Sequence, residues 1–228
     1  MKPSVRIYGG VHHDPGTRQK FLEELGKQIT APHFVAVEWE KSVFEKFAQW
    51  RHWVEERIRS RWDFLTFQDC RELSLALAWE GDAYKDHFPA AEPLWLEDGF
   101  QEANLERRFR GRFPESIPQS LAHRLCDPCS LSMKEMIASA DPSPEPKSKK
   151  ELIDRLWEKA WADAFGDNNF ERDARWASAI SDRASGLRDG WIAVVVGWTH
   201  ADPPGGSQRL RGLLLSKRVS VNSVSLGP

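Results

Sequence analysis

The stretch that decides the fold of this chain is WIAVVVGWTHADPPG, residues 191–205. Its first six residues are apolar and rich in β-branched side chains, which is typical of a strand buried on both faces of a parallel sheet. The pattern Gly-x-x-His-x-Asp-Pro follows directly and brings His200 to the end of the strand. The same pattern occurs after a short apolar run in YGGVHHDPG, residues 8–16, where it contains His12. We therefore expect two similar loops at the carboxyl ends of two strands.

Other segments complete a predicted α/β fold. Apolar runs predict a mainly parallel central sheet, with strands near residues 4–8, 34–39, 93–98, 191–196 and 218–223. Helical spacing of apolar residues over 41–92 and 100–188 predicts a large helical insertion. Within it, one helix is expected over 71–88, ending at Pro89. Thr17 is expected to cap the helix that follows the first loop.

Length and composition favour one domain. With 228 residues, of which 40% are hydrophobic, the chain can bury one substantial core, so a single domain is predicted over 1–228. The stretch DPSPEPKSK, residues 141–149, contains three prolines and otherwise only polar or charged residues. It is predicted to be a flexible loop within that domain.

Charge balance, apolar runs and cysteine content indicate which classes of partner and which cellular compartment to expect. The 32 Lys and Arg residues nearly match the 34 Asp and Glu residues, which argues against a nucleic-acid-binding or anionic-membrane surface. No apolar run approaches the roughly 20 residues that span a bilayer, and MKPSVR lacks the apolar core of a signal peptide. A cytoplasmic protein with a peptide or small-molecule partner is therefore expected. Cys126 and Cys129 have C-x-x-C spacing, but a second pair is missing, so we interpret them as a chance pair.

Polar side chains are expected at the carboxyl edge of the sheet, where sites form in open α/β folds. They follow or end the first four predicted strands, and they are His12, Glu38, Asp98 and His200. Two imidazoles with one or two carboxylates can hold a divalent metal and leave a position open for water. Gly9 and Gly197, three residues before the histidines, would let the backbone turn sharply. His13 matches the same spacing and is a further candidate.

Each acid also has a structural interpretation. Glu38 interrupts the apolar run FVAV, which is costly unless the carboxylate is paired or binds a metal. Alternatively, Glu38 lies at the solvent edge with Glu40, and one of them caps the next helix. Glu72, at the start of the predicted 71–88 helix, is expected to be a first-turn acid that the helix dipole favours.

Arg172 is expected to point inward. It shares one helix face with Trp176 and Ile180, because these positions are separated by four and eight residues. An inward arginine usually meets a carboxylate. Its partner is then either a structural acid, Asp98 or Glu38, or an anionic group of a substrate or transition state.

Six short motifs resemble the TraB/PrgY/GumN and TIKI family, which belongs to a wider group with erythromycin esterase-like and ChaN-like proteins. In chain order they are YGGVH, VAVE, RELSLALA, LED, ERDARWA and VVVGWTH. The resemblance implies metal and catalytic roles for the two Gly-x-x-His motifs, Gly9 to His12 and Gly197 to His200, and for Glu38. Arg172 matches the arginine of the family's Glu-Arg-Asp/Asn motif.

The resemblance also assigns the family's helix glutamate to Glu72 and the aspartate after the third strand to Asp98. Family members often have Asp-Arg at the latter place, whereas Gly99 follows Asp98 here. TIKI members are described as metal-dependent proteases with manganese or cobalt, so the resemblance implies a metal-dependent hydrolase. Erythromycin esterase-like relatives cleave an ester without a clear metal, and ChaN-like relatives bind haem.

The leading prediction is a peptidase that uses a water activated by manganese, cobalt or zinc. His12, His200 and Glu38 would hold the metal, or Glu38 would act as base toward the bound water. Arg172 would stabilise the oxyanion, and Asp98 would orient a histidine or the arginine. The alternatives are a metal-free, esterase-like hydrolase in which a histidine activates water, and a non-catalytic protein that binds a peptide, haem or metal.

Overall fold

A computed structural model describes residues 4–11, 14–41, 44–45, 55–56, 58–60, 62–76, 79–98, 146–154, 170–201 and 208–226. In these ranges five strands form one sheet: β1 (Ser4–Gly10), β2 (Phe34–Val37), β3 (Glu92–Trp95), β4 (Trp191–Gly197) and β5 (Ser220–Ser225). Their order across the sheet is β3-β2-β4-β1-β5, and every neighbouring pair runs parallel. The predicted α/β fold with a parallel central sheet is confirmed.

The place of each strand in the sheet follows its composition. All seven residues of β4 are buried at the centre, as a continuous apolar run predicts. The edge strands β3 and β5 contain exposed and half-buried residues instead. The strands β2 and β3 are shorter than predicted, so Glu38 and Asp98 lie in the turns after them. Directly after β2 the chain makes a tight turn, in which the N–H of Trp39 donates to the carbonyl of Val37 at 2.8 Å.

One face of the sheet is covered by α1 (Pro15–Gly26) and α2 (Phe67–Ala76). Their apolar side chains pack on outward-pointing strand residues, among them Phe21, Leu25, Cys70 and Leu73 on Tyr8, Val35 and Val195. Because alternate residues of a strand point to opposite faces, this core uses only one half of each strand.

The helix α1 begins earlier than predicted. Asp14 is its N-cap, and its carboxylate accepts from the N–H of Gly16 at 2.8 Å and from Thr17 Oγ1 at 3.2 Å. Thr17 is buried inside the helix, so its predicted role as the cap is wrong. An aspartate cap followed by Pro15 in the first turn is a favoured way to start a helix. In the first copy of the Gly-x-x-His-x-Asp-Pro pattern, residues 8–16, the Asp-Pro pair is therefore the start of α1.

The single helix predicted over 71–88 is not formed. From residue 79 the chain makes two short 3-10 helices, Trp79–Gly81 and Ala83–Asp86. A Cβ at Gly81 would lie 2.2 Å from the ring of Phe44, so glycine permits a close contact here. Glycine is also a poor residue for continuing an α-helix.

The other face of the sheet is covered by α3 (Phe170–Gly186), the single turn α4 (Trp198–Ala201) and α5 (Leu210–Ser216). Their core residues include Trp176, Ile180, Ala201 and Leu214, packed on Ile7, Ile192 and Val194. Since α3 leads into the start of β4, it runs opposite to the strands. Its first turn therefore lies at the carboxyl edge of the sheet.

Several predictions concern residues outside the described ranges. These are His12, His13, Cys126, Cys129, positions 99–145 of the helical insertion and the first part of the proline-rich loop. The extent of the single domain, 1–228, stays a prediction for the same reason. Among the described residues, no helix has both the length and the apolar character needed to cross a membrane.

Candidate functional site

The carboxyl edge of the sheet brings together Glu38, Arg172 and His200, which are three of the predicted site residues. Glu38 follows β2, and both of its carboxylate oxygens are bonded. Arg172 Nη2 donates to Oε1 at 2.6 Å, and the N–H of Gly197, at the end of β4, donates to Oε2 at 2.9 Å. Only 10% of the Glu38 side chain is exposed. Its charge is therefore offset by a paired cation, one of the possibilities left open by the sequence.

A second carboxylate holds Arg172 in place. Arg172 Nε donates to Glu97 Oε1 at 2.8 Å, and Arg175 Nη2 donates to Glu97 Oε2 at 3.0 Å. The Glu97 side chain is 4% exposed. Burial opposes the charge of Arg172, but the carboxylates of Glu38 and Glu97 outweigh it and raise the pKa of the guanidinium. Arg172 is thus a fixed cation at the edge of the site.

Among the described residues, Asp98 orients neither His200 nor Arg172. Its Oδ1 accepts from the backbone N–H of Lys41 at 3.0 Å, and the residue is exposed. Glu97 and Asp98 are consecutive in the turn after β3, and the turn directs them to different surroundings. Arg172 is bonded instead to Glu97 and to Glu38, the latter being one of the structural partners that the sequence left open.

His200 is held by a carboxylate from α3. It lies in α4 and is 2% exposed. Its Nδ1 is 2.6 Å from Oδ1 of Asp173, which is fully buried in the first turn of α3. Oδ2 of the same carboxylate accepts from Arg209 Nε at 2.7 Å. An ionised carboxylate only accepts hydrogen bonds, so the proton of a neutral His200 sits on Nδ1 and Nε2 keeps its lone pair.

The outward nitrogen of His200 faces Glu38. Nε2 lies 3.8 Å from Glu38 Oε1, which is too far for a hydrogen bond. The buried ring of Trp176 packs against His200 and Arg172. Its centroid lies 4.6 Å from the ring centroid of His200 and 4.6 Å from Arg172 Cζ. We call this set of side chains the carboxyl-edge network: Glu38, Glu97, Arg172, Asp173, Arg175, His200 and Arg209.

Gly9 and Gly197 shape the backbone around the network. β1 and β4 pair in register, with Gly10 opposite Gly197. A Cβ at Gly9 would lie 2.2 Å from Cβ of Ala201, the residue after His200. Only glycine permits this close approach between β1 and α4, and Gly197 supplies the N–H that binds Glu38.

The predicted metal ligands are only partly placed. Among the described residues, no group of three or more His, Cys, Asp or Glu side chains is arranged to hold a metal ion. His200 Nε2 and Glu38 Oε1 face each other as two possible donors. The third predicted ligand, His12, lies outside the described ranges, as does His13.

Glu72 belongs to a different cluster. It lies in the middle of α2, so its predicted first-turn position is wrong. Its carboxylate accepts from Lys149 Nζ at 2.6 Å and from Gln68 Nε2 at 3.0 Å, and these bonds lower the pKa of Glu72. Lys149 Nζ also lies 2.8 Å from Asp69 Oδ1. We call Lys149, Asp69 and Glu72 the Lys149 cluster.

Asp173, Arg209, Glu97 and Arg175 were not predicted as site residues. One signal pointed to Asp173: it precedes Trp176 by three residues and Ile180 by seven, so helical spacing places it on the buried face. A charged residue in such a stripe needs a partner. Nothing in the local sequence around Arg209 distinguishes it from an exposed arginine.

The chain was compared with family models, with curated proteins and with solved structures, and none of these matches it.

Proposed function

We propose that this chain is a hydrolase in which His200 is the reactive histidine. The observation that supports this most is the orientation of the ring: Asp173 holds Nδ1 at 2.6 Å, and Nε2 faces Glu38. A histidine held in this way can accept a proton from water or bind a metal, because its outward nitrogen keeps its lone pair. The resemblance to the TraB/PrgY/GumN and TIKI family supports a peptide or small modified peptide as the substrate.

In the leading form of the proposal, a divalent ion such as manganese, cobalt or zinc is held by His12, His200 and Glu38. Two donors that each lie about 2 Å from one ion are within about 4 Å of each other. The 3.8 Å between His200 Nε2 and Glu38 Oε1 satisfies this condition. A carboxylate behind the imidazole, as Asp173 is here, commonly orients a metal-binding histidine. The ion would supply a water of lowered pKa and polarise the scissile carbonyl.

The side chains around His200 would then serve the transition state. The described hydrogen bonds of Arg172 use Nε and Nη2, two of the nitrogens of a group with five N–H donors. Its side chain is 33% exposed, so a further donor can reach the oxygen on which negative charge develops. If Glu38 does not hold the ion, it would instead accept a proton from the attacking water and pass it to the leaving group.

A metal-free hydrolase is the second candidate, and the bonding of Glu38 favours it. Both oxygens of Glu38 already accept hydrogen bonds, one of them from a cation, so its burial needs no metal. In this form Nε2 of His200 takes the proton from water, and Asp173 stabilises the resulting imidazolium. Arg172 keeps its role toward the oxyanion.

The experiment that tests the proposal combines metal content with turnover. The protein is purified without chelator or metal-affinity resin, and its metal content is measured by elemental mass spectrometry. Wild type is compared with His12→Ala, His200→Ala and the control His87→Ala, which removes an exposed histidine that follows the second 3-10 helix. The same four proteins are assayed against a library of peptides and peptide esters, with each metal added and with chelator.

The outcomes separate the candidates. A bound metal and a metal-dependent cleavage that are both lost in His12→Ala and His200→Ala support the leading form. Cleavage that survives chelator and is lost in His200→Ala supports the metal-free form. Binding of a peptide, haem or metal without turnover would show a non-catalytic protein. Full activity in both variants would show that the site lies elsewhere.

A further inference from the structure

The carboxylate of Asp173 is bound on both sides by residues nine positions apart in the chain. Oδ1 meets His200 Nδ1 at 2.6 Å, and Oδ2 accepts from Arg209 Nε at 2.7 Å. The side chains of His200 and Arg209 are each 3% exposed, and that of Asp173 is fully buried. The three groups are therefore joined by two contacts, one to each oxygen of Asp173, with little access to water.

Arg209 is held in a defined orientation itself. Its guanidinium carbon lies 5.4 Å from the ring centroid of Phe170, at the start of α3. A planar guanidinium that donates from Nε and lies near an aromatic ring has little freedom to rotate. The bond to Oδ2 in turn restricts rotation of the Asp173 carboxylate, so that Oδ1 stays directed at the histidine.

The orientation of Asp173 decides which nitrogen of His200 carries the proton. With Oδ1 on Nδ1, the lone pair of the neutral ring is on Nε2, the nitrogen 3.8 Å from Glu38 Oε1. If the carboxylate of Asp173 turned away, Nδ1 would lose its acceptor while Nε2 kept Glu38 Oε1 at 3.8 Å, so the tautomer protonated on Nε2 would also be populated.

We propose that Arg209 is a positioning residue, which acts through Asp173 to keep His200 in the tautomer with its lone pair on Nε2. The effect of Arg209 on catalysis rests on the proposed function. Its effect on the tautomer of His200 does not, and can be tested in a protein without known activity. Because Arg209 donates to Asp173 Oδ2 and Asp173 Oδ1 meets the ring, Arg209 acts on His200 through Asp173.

The test is nitrogen NMR on protein labelled with ¹⁵N-histidine, at neutral to mildly basic pH and without added metal. The signals of His200 are assigned by their loss in His200→Ala. Wild type is compared with Arg209→Gln, with Arg209→Lys, and with Arg211→Gln, which removes an exposed arginine of α5 and serves as the matched control. Circular dichroism verifies that each protein is folded.

We expect wild type and Arg211→Gln to show a protonated Nδ1 and an unprotonated Nε2. In Arg209→Gln both signals should move toward the averaged positions of exchanging tautomers, and Arg209→Lys should fall between. Unchanged His200 signals in a folded Arg209 variant would overturn the proposal. If Arg209→Gln does not fold, Arg209→Lys decides. Loss of the fold in both variants would also overturn it, in favour of a purely structural role.

A second readout applies where the wild type is active. Changes of residues that orient a reactive or metal-bound histidine typically cost about 10- to 100-fold in activity or metal affinity. We expect Arg209→Lys to lower kcat within that range with little change in KM. A wild type that neither cleaves nor binds metal would end the proposed function but leave the NMR test of Arg209 valid, so the two failures are distinguishable.

Discussion

The carboxyl-edge network and the Lys149 cluster use the same chemistry in two different environments. Both pair carboxylates with cations at 2.6 to 3.0 Å. In the network the exposed fractions of the carboxylate side chains run from 0% for Asp173 to 10% for Glu38. In the Lys149 cluster they are 20% for Asp69 and 37% for Glu72.

This difference in burial decides what the ion pairs do. A charge that is removed from water depends on its partner, so breaking a buried pair leaves an uncompensated charge. A charge near the surface can return to water when its partner is lost, so the pair contributes little. The distances alone do not separate the two clusters, and the predictions below test whether burial does.

The largest effect is expected for Asp173→Asn. The change removes the carboxylate charge of Asp173 from beside the cation of Arg209, 3% exposed, and breaking a buried pair of this kind costs about 3–5 kcal/mol of the free energy of unfolding. The measurement is chemical denaturation. Asp182→Asn, at an exposed position of the same helix, is the control and should change stability by less than about 0.5 kcal/mol. Equal losses in the two variants would contradict the role of burial.

A smaller loss is expected for Gly9→Ala, which disturbs the network without removing a charge. The new Cβ would lie 2.2 Å from Cβ of Ala201 and force α4 away from β1, at a cost of about 1–3 kcal/mol. Gly186→Ala is the control, since nothing lies within 4 Å of a Cβ there. It should leave stability unchanged or raise it by about 0.4–1 kcal/mol. Thermal unfolding of both variants would show whether the close contact at Gly9 matters.

Lys149→Ala should have a minor effect although it removes two ion pairs. Lys149 is 32% exposed, and pairs of this kind typically contribute about 0–1 kcal/mol. The loss should shrink further as salt is added, because exposed charges are screened. Lys150→Ala, which breaks a more exposed pair with Asp154, is the comparison. A loss in Lys149→Ala as large as that of Asp173→Asn would show that the cluster is more than a surface pair.

The smallest effect is expected for Asp69, whose contribution makes the free energy of unfolding depend on pH in the acid range. The bonds to Lys149 and Thr66 lower the pKa of Asp69 from 3.8 to about 2. The unfolded chain therefore takes up this proton first as the pH falls, so the contribution of Asp69 is complete above about pH 4 and is lost toward pH 2. Stability measured across this interval should fall less steeply in Asp69→Asn than in wild type. Parallel curves for the two proteins would contradict the lowered pKa.

Most of the fold could be predicted because it depends on local patterns. WIAVVV marks the central strand, and the polar residues of EPLW and SVNSVS suit the edges of the sheet. Two of the errors arose where two nearby residues could both fill a role. Asp14 caps α1 although Thr17 is a good cap as well, and Glu97 meets Arg172 although Asp98 is the adjacent acid.

The sequence by itself determined a parallel α/β sheet, its buried central strand and the presence of Glu38 and His200 at the ends of two strands. Only the tertiary structure decided which side chains meet there. Asp173 and His200 are 27 residues apart in the chain, and Glu38 and Arg172 are 134 apart. Hydrophobic periodicity shows which face of an element is buried, but it carries no information on its partner. The partner is selected by the order of the strands and by the helix α3, whose first turn reaches the carboxyl edge of the sheet.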